Sequence, residues 1–176
     1  MKRVLISVEG QTEETFVREV LSPYLSDGGI VLIPTLVNTK IVKSGPNFKG
    51  GVVSYGKVKR DLQRLLNDAD AVAVTTMYDV YELPKDFPGY GRCLGRPYDK
   101  VACLEAAFAA DINHRRFKPY LQLHEFEAFL FVDPAQTGQE LGLISQQVES
   151  LTHIRAGFAT PEEINDHPQT APSNVC

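Results

Sequence analysis

Two hydrophobic periods alternate through the first eighty residues, and that alternation restricts the fold more than any other feature of the chain. Residues 2–8 form an unbroken apolar run of strand length, and "TEETFVREVLSPYL" then places Phe16, Val17, Val20 and Leu21 at helical spacing behind an acidic first turn. "GIVLIPTLVN" is a second strand, with Pro34 requiring an edge position or a bulge. In "YGKVKRDLQRLLND" the residues Val58, Leu62, Leu65 and Leu66 share one helical face, and "AVAVTTMYDV" returns to an apolar strand. The order β-α-β-α-β predicts parallel pairing, right-handed crossovers and a three-layer α/β domain around a mainly parallel central sheet.

Beyond that unit the pattern changes. From Glu82 to Tyr98 lies a loop carrying three prolines and three glycines, of a length usually kept for function. "DKVACLEAAFAADI" reads as a helix with Val101, Leu104, Ala107 and Phe108 as its apolar stripe, and "FKPYLQLHEFEAFLFV" is another apolar run that alternates at its start, with a strand expected through "YLQLH". Residues 134–176 read as short amphipathic pieces and turns. A length of 176 residues suits one domain over 1–176, and 43% apolar with 23% charged residues is the composition of an ordinary globular protein. No apolar run approaches the ~20 residues that cross a bilayer, and "MKRVLISVEG" lacks the features of a signal peptide, so a cytoplasmic protein without membrane contact is expected. Cys93, Cys103 and Cys176 are odd in number and lack metal-ligand spacing, which predicts reduced thiols and no zinc site.

Charge is unevenly spread. Between Gly28 and Arg60 there is no Asp or Glu, while Lys40, Lys43, Lys49, Lys57, Lys59 and Arg60 give +6; against −4 overall, that leaves −10 for the remainder. Such a run is either a solvated basic loop or a patch for phosphates.

Ligands of open parallel sheets bind beyond the carboxyl ends of the strands. Acids stand at those ends here: Glu9 after the first strand, Asp79 after "AVAVTTMY", and Glu125 with Glu127 after "YLQLH". Clustered carboxylates repel unless a cation or proton lies among them, and their hard oxygens suit Mg²⁺ or Mn²⁺ completed by substrate phosphates. Each acid also has a structural role open to it: Glu9 or Asp79 as a turn former, Glu13 and Glu14 as complements of a helix dipole, Glu127 as the start of a helix. His124 beside Glu125 suits a hydrogen-bonded structural histidine better than a metal ligand. There is neither GxxxxGK[ST] nor GxGxxG after the first strand, although the Gly10-Gln11-Thr12 turn offers backbone N–H groups to an anion.

Taken together, "SVEGQTEETFVREVL", "TTMYDVYELPKDFPG" and "YLQLHEFEAFLF" resemble an uncharacterised bacterial family, a domain of unknown function, over most of residues 3–173. That family is related in pattern to Toprim proteins such as the RloB-like and overcoming-lysogeny-defect nucleases. The resemblance implies a Rossmann-like, Toprim-like fold in which Glu9 matches the first-motif glutamate, a general acid or base, and Asp79 the first aspartate of a DxD motif that holds Mg²⁺. Two departures accompany it. Tyr81 stands where the second DxD aspartate would be, so that one metal ligand is missing or is supplied by Glu82, Glu125 or Glu127. The chain also stops soon after "TAPS", where members of the family continue with helical sequence, which implies a C-terminally shortened copy.

These readings converge on a metal-dependent nuclease or related phosphoryl-transfer enzyme. Glu9 and Asp79 are the catalytic acids, Glu9 moving a proton, and Glu9, Asp79, Glu125 and Glu127 face or hold Mg²⁺ or Mn²⁺. Lys85, Arg92, Arg96 and Lys100 of the long loop steady the phosphate, and Lys40, Lys43 and Lys49 contact nucleic acid. The resemblance adds a partner ATPase and a role in phage defence. The competing reading is a non-catalytic module of the same scaffold that binds nucleic acid or an ATPase subunit.

Overall fold

A computed structural model describes residues 1–37, 54–81, 83–123 and 125–164. The protein is α/β, with a mainly parallel five-stranded central sheet flanked by helices in a Rossmann-like three-layer arrangement. Strand β1 is Lys2–Val8, β2 Ile30–Leu36, β3 Ala71–Asp79, β4 Phe117–Lys118 and β5 Leu121–Gln122; the order is β2-β1-β3-β4, with β5 also pairing β3. Both neighbours of β1 run parallel to it, Val8 facing Leu36 on one side and Met77 on the other. Because β1 is covered on both faces, Leu5, Ile6, Ser7 and Val8 are buried in succession, as an unbroken apolar run requires. Among the described residues β2 is paired on one side only, which accommodates Pro34 within it.

The chain divides into two compact units, Met1–Tyr78 with Glu82–Leu121 and Asp79–Tyr81 with Gln122–Cys176. In the first unit, one run of helix follows β1 as α1 (Gln11–Phe16), a π turn (Val17–Leu21) and α2 (Ser22–Ser26). The π turn has a local cause: Pro23 has no N–H for the carbonyl one turn back, and its ring crowds that carbonyl. The widened turn exposes Val20, which even helical spacing would have placed with Val17 and Leu21. Helix α3 (Tyr55–Leu66) buries Tyr55, Val58, Leu62 and Leu66, and α4 (Pro97–Ile112) buries Leu104 and Phe108. Phe108 is the centre of an edge-to-face ring cluster, 4.8 Å from Phe87, 4.9 Å from Phe117 and 5.9 Å from Tyr55 between centroids. Arg116 closes the α3–β3 turn: its guanidinium donates to the carbonyls of Leu66, Asp68 and Ala71, a cation at the negative end of a helix.

Two expectations for this unit need correction. The strand through "YLQLH" is only the two-residue β5, set apart from β4 by Pro119, which cannot donate to a ladder. The backbone of Tyr120 turns instead to the Thr76 hydroxyl, which donates to its carbonyl at 2.8 Å and accepts from its N–H at 3.1 Å. The cysteines are not all reduced thiols, because Cys93 and Cys103 form a disulfide with Cα atoms 5.6 Å apart. Gly89, at φ +83°, folds the loop back onto α4, and a Cβ there would meet the Cys93 sulfur at 2.9 Å and Ala107 at 3.1 Å. That close approach carries Cys93 to its partner.

In the second unit, a 3-10 segment (Phe126–Phe131) leads into α5 (Pro134–Leu141), α6 (Ser145–Ala156) and a short 3-10 turn (Pro161–Glu163). Asp133 caps α5, accepting from the N–H groups of Ala135 and Gln136 at 3.1 and 3.0 Å, and Gly142 ends it at φ +65°. The core is Phe131, Leu151 and Ile164, with Leu130, Leu143, Ile154 and Phe158 packed around it. Among the described residues no helix is long and apolar enough to cross a membrane.

Candidate functional site

The strand order creates one place where a ligand crevice is expected. The chain leaves β1 toward β2 and then crosses to the opposite side of β1 to form β3, so successive connections diverge at the carboxyl ends of β1 and β3. In doubly wound sheets with this order, that switch point is where ligands bind. Glu9 directly follows Val8, the last residue of β1, and Asp79 is the last residue of β3.

In the first unit Glu9 is buried next to a polar pair that sequence reasoning missed. Tyr78, almost wholly buried, donates its hydroxyl to Ser7 Oγ at 2.7 Å. Burial holds the Tyr78 phenol well above its ordinary range, the charges of Glu9 and Asp61 push the same way, and the Ser7 hydrogen bond opposes them. The charge of Glu9 is thus felt by a buried phenol that is hydrogen-bonded to Ser7. No motif announces this pair, since its members are 71 residues apart and each reads alone as a strand residue. The Gly10 N–H is not open to an anion: Glu13 Oε2 accepts it at 2.9 Å, in the capping arrangement that begins α1. Glu14 pairs with Arg18 one turn on, so both acids serve the helix.

In the second unit Asp79 is half-buried, and its Oδ2 accepts the N–H of Phe126 at 3.2 Å. This bond fixes the start of the 3-10 segment and joins Asp79 to the stretch carrying Glu125 and Glu127, two expected partners. Glu125 is buried and extended at the N-cap of that segment, while Glu127 is half-buried inside its first turn. The helical turn has begun before Glu127, which takes the residue off the side that an extended chain would share with Glu125. Tyr81, in the position of a second DxD aspartate, is exposed. His124 and Glu82 lie outside the described residues.

Among the described residues no three His, Cys, Asp or Glu side chains gather at a spacing that holds a metal ion. Mg²⁺ and Mn²⁺ need only one or two protein carboxylates when substrate phosphate and water complete the shell.

The basic residues separate into three groups. Lys40, Lys43 and Lys49 lie outside the described residues. Lys59 is not uncompensated, since its ammonium pairs with Asp111 of α4 at 2.8 Å. Lys85, Arg92, Arg96 and Lys100 are all exposed on the loop and the first turn of α4, with Arg96 paired to Asp99 at 3.0 Å. Arg92 borders an open cleft of about 620 Å³ that also involves Tyr55, Asp86, Phe87, Tyr90 and Asp111. Asp86 caps α3 there, both carboxylate oxygens accepting the Tyr55 N–H at 3.2 Å. The Tyr55 hydroxyl donates to Asp111, and burial followed by that bond and charge raises the phenol above its ordinary range. Lys59 and then Tyr55 hold the Asp111 carboxyl below its own.

A family model described as Domain of unknown function (DUF4276) matches residues 8–175 of the chain. No curated protein and no solved structure matches it.

Proposed function

The chain belongs to the DUF4276 family, and from that premise we propose that it is a metal-dependent nuclease or related phosphoryl-transfer enzyme acting on nucleic acid. The observation that carries this reading is that acids stand at the carboxyl ends of the two central parallel strands, Glu9 directly after β1 and Asp79 as the last residue of β3. The Toprim resemblance gives the same two residues their roles. Asp79 with Glu125 would hold a divalent ion, and Glu127 stands beside them in sequence. When bound, Mg²⁺ or Mn²⁺ supplies polarisation of the phosphodiester. Glu9 takes the proton from the attacking nucleophile or returns one to the leaving oxygen. Lys85, Arg92 and Arg96, with Lys40, Lys43 and Lys49, contact phosphate. A partner ATPase and a role in phage defence complete the proposal, and the genes beside this one test that part.

A second reading, a non-catalytic module binding nucleic acid or an ATPase subunit, is favoured by two observations: Tyr81 replaces an acid, and no triple acid group gathers among the described residues. Mutagenesis separates the two. Glu9→Gln and Asp79→Asn should each abolish Mn²⁺- or Mg²⁺-dependent cleavage of single- or double-stranded DNA or of RNA while leaving the fold intact, because Asn keeps an oxygen for the Phe126 N–H. Mn²⁺ should raise the melting temperature of the wild type and much less that of Asp79→Asn. A wild type that cleaves none of the three substrates and shows no metal-induced shift would falsify the enzyme reading and leave the binding module.

A further inference from the structure

We propose that the ridge from Tyr90 to Lys100, with the cleft beside it, is a docking site for single-stranded nucleic acid. This rests on the nucleic-acid half of the preceding reading and adds the strandedness of the ligand. Along the ridge the exposed side chains alternate between apolar or aromatic and cationic: Tyr90, Arg92, Leu94, Arg96, Tyr98 and Lys100. Tyr90, Leu94 and Tyr98 are 47%, 78% and 45% exposed. The intervening residues hold the backbone in that presentation. Gly91 and Gly95 have φ of +71° and +127°, Cys93 is buried and bonded to Cys103, and Pro97 begins α4. A side chain at either glycine would strain the turn, so the outward alternation depends on them. Asp99 is the one acid in the stretch, and it is spent on Arg96.

Exposed rings on a covalently pinned backbone offer flat faces to bases at small entropic cost, and cations between them meet the phosphates of a strand whose bases are unstacked. A duplex buries its base faces and presents only the phosphates. The cleft supplies an independent indication. Its volume of about 620 Å³ admits one unstacked base, with Phe87 and Tyr90 among its walls and Ala107 and Ala110 leaving the space. Asp86 and Asp111 also line it, the first accepting the Tyr55 N–H and the second paired with Lys59 and the Tyr55 hydroxyl, so both are held in place beside the space.

The test is fluorescence anisotropy in EDTA, where no cleavage occurs, on a DNA strand of about 12 nucleotides and on the duplex of the same sequence. The single strand should bind at least tenfold more tightly than the duplex. Tyr90→Ala should weaken single-strand binding about 5- to 150-fold, the range given by one lost base–ring stack, while Tyr90→Phe should retain it. Arg92→Gln should weaken binding and flatten its dependence on salt. These residues are exposed, and an unchanged circular dichroism spectrum will confirm that each variant is folded. Equal or tighter duplex binding, or an affinity unmoved by Tyr90→Ala, overturns the proposal. A parallel cleavage assay with Mn²⁺ keeps the two readings apart: loss of binding in Tyr90→Ala from a wild type that never cleaves sustains the ridge and removes the enzyme. Cleavage by a wild type whose binding ignores Tyr90 does the reverse.

Discussion

The first unit is built around parallel strands that pair along their lengths, the second around short helical elements. In the first, β1 pairs along its length with β2 and, with a shift between Arg3 and Val4, with β3, and Phe108 touches rings contributed by α3, by the loop before α4 and by β4. In the second, Phe131 comes from the 3-10 segment, Leu151 from α6 and Ile164 from the residue after the last 3-10 turn, and the packing of α5 on α6 depends on Gly138, where a Cβ would stand 2.4 Å from Val148 Cγ2. The ring cluster of the first unit is shared by several elements, whereas α5 and α6 meet so closely at Gly138 that a single added methyl group is felt.

The largest effect that follows is at the ring cluster. Phe108→Ala removes a fully buried ring from three neighbours and should lower the unfolding free energy by about 3–5 kcal/mol, as large-to-small substitutions of buried aromatics do. Denaturant titration with an unchanged m-value measures it. A loss below about 0.5 kcal/mol, the range of surface substitutions, would show that the core of the first unit is centred elsewhere.

The difference between local patterns and long-range contacts explains how much was legible in the sequence. The strands β1, β2 and β3 and the helices α3 and α4 follow from periodicities that extend over seven or more residues, and Pro34 correctly marked an edge. Glu9 and Asp79 could be located because each ends an apolar run. What escaped were features decided by contact between separate segments. The Ser7–Tyr78 pair, the Thr76 hydroxyl that substitutes for a ladder at Tyr120, and Asp86 capping α3 each join residues at least 31 apart. The Cys93–Cys103 bridge escaped for another reason. The odd cysteine count argued for thiols, whereas the backbone turn at Gly89 decides the matter. Glu127 was ambiguous because two residues cannot distinguish an extended chain from the first turn of a 3-10 helix.

A smaller effect sharpens the comparison from the other side. Gly138→Ala places a better helix former inside α5, worth up to about 1 kcal/mol in isolation, yet the new methyl group must displace a β-branched side chain with little freedom to move. The net should be a destabilisation of about 1–2 kcal/mol. Hydrogen exchange should quicken in residues 134–156 and leave β1 and β3 unchanged. Equal acceleration across β3 would mean that the two cores unfold as one.

The smallest effect concerns charge at the surface of the first unit and has a defined pH signature. Asp111 is held below its ordinary range first by the hydrogen bond from Lys59 and then by that from Tyr55, so its folded pKa lies under the unfolded value of 3.8. A depressed acid contributes stability that is fully present above the unfolded pKa and disappears as pH falls through the folded one, because below both values the two states bind the same proton. Asp111 and Lys59 are both more than a third exposed, and water screens the pair, so the contribution is that of a surface ion pair, about 0.2–1 kcal/mol. Asp111→Asn should therefore be less stable than the wild type by that amount at pH 7. The two stability curves should draw together below about pH 4 and meet where the wild-type carboxyl is protonated. Raising the salt concentration at pH 7 should narrow the gap, since exposed pairs weaken as the Debye length shortens. A difference that persists undiminished at pH 2 would assign the loss to the Tyr55 hydroxyl contact, which an amide accepts less well than a carboxylate.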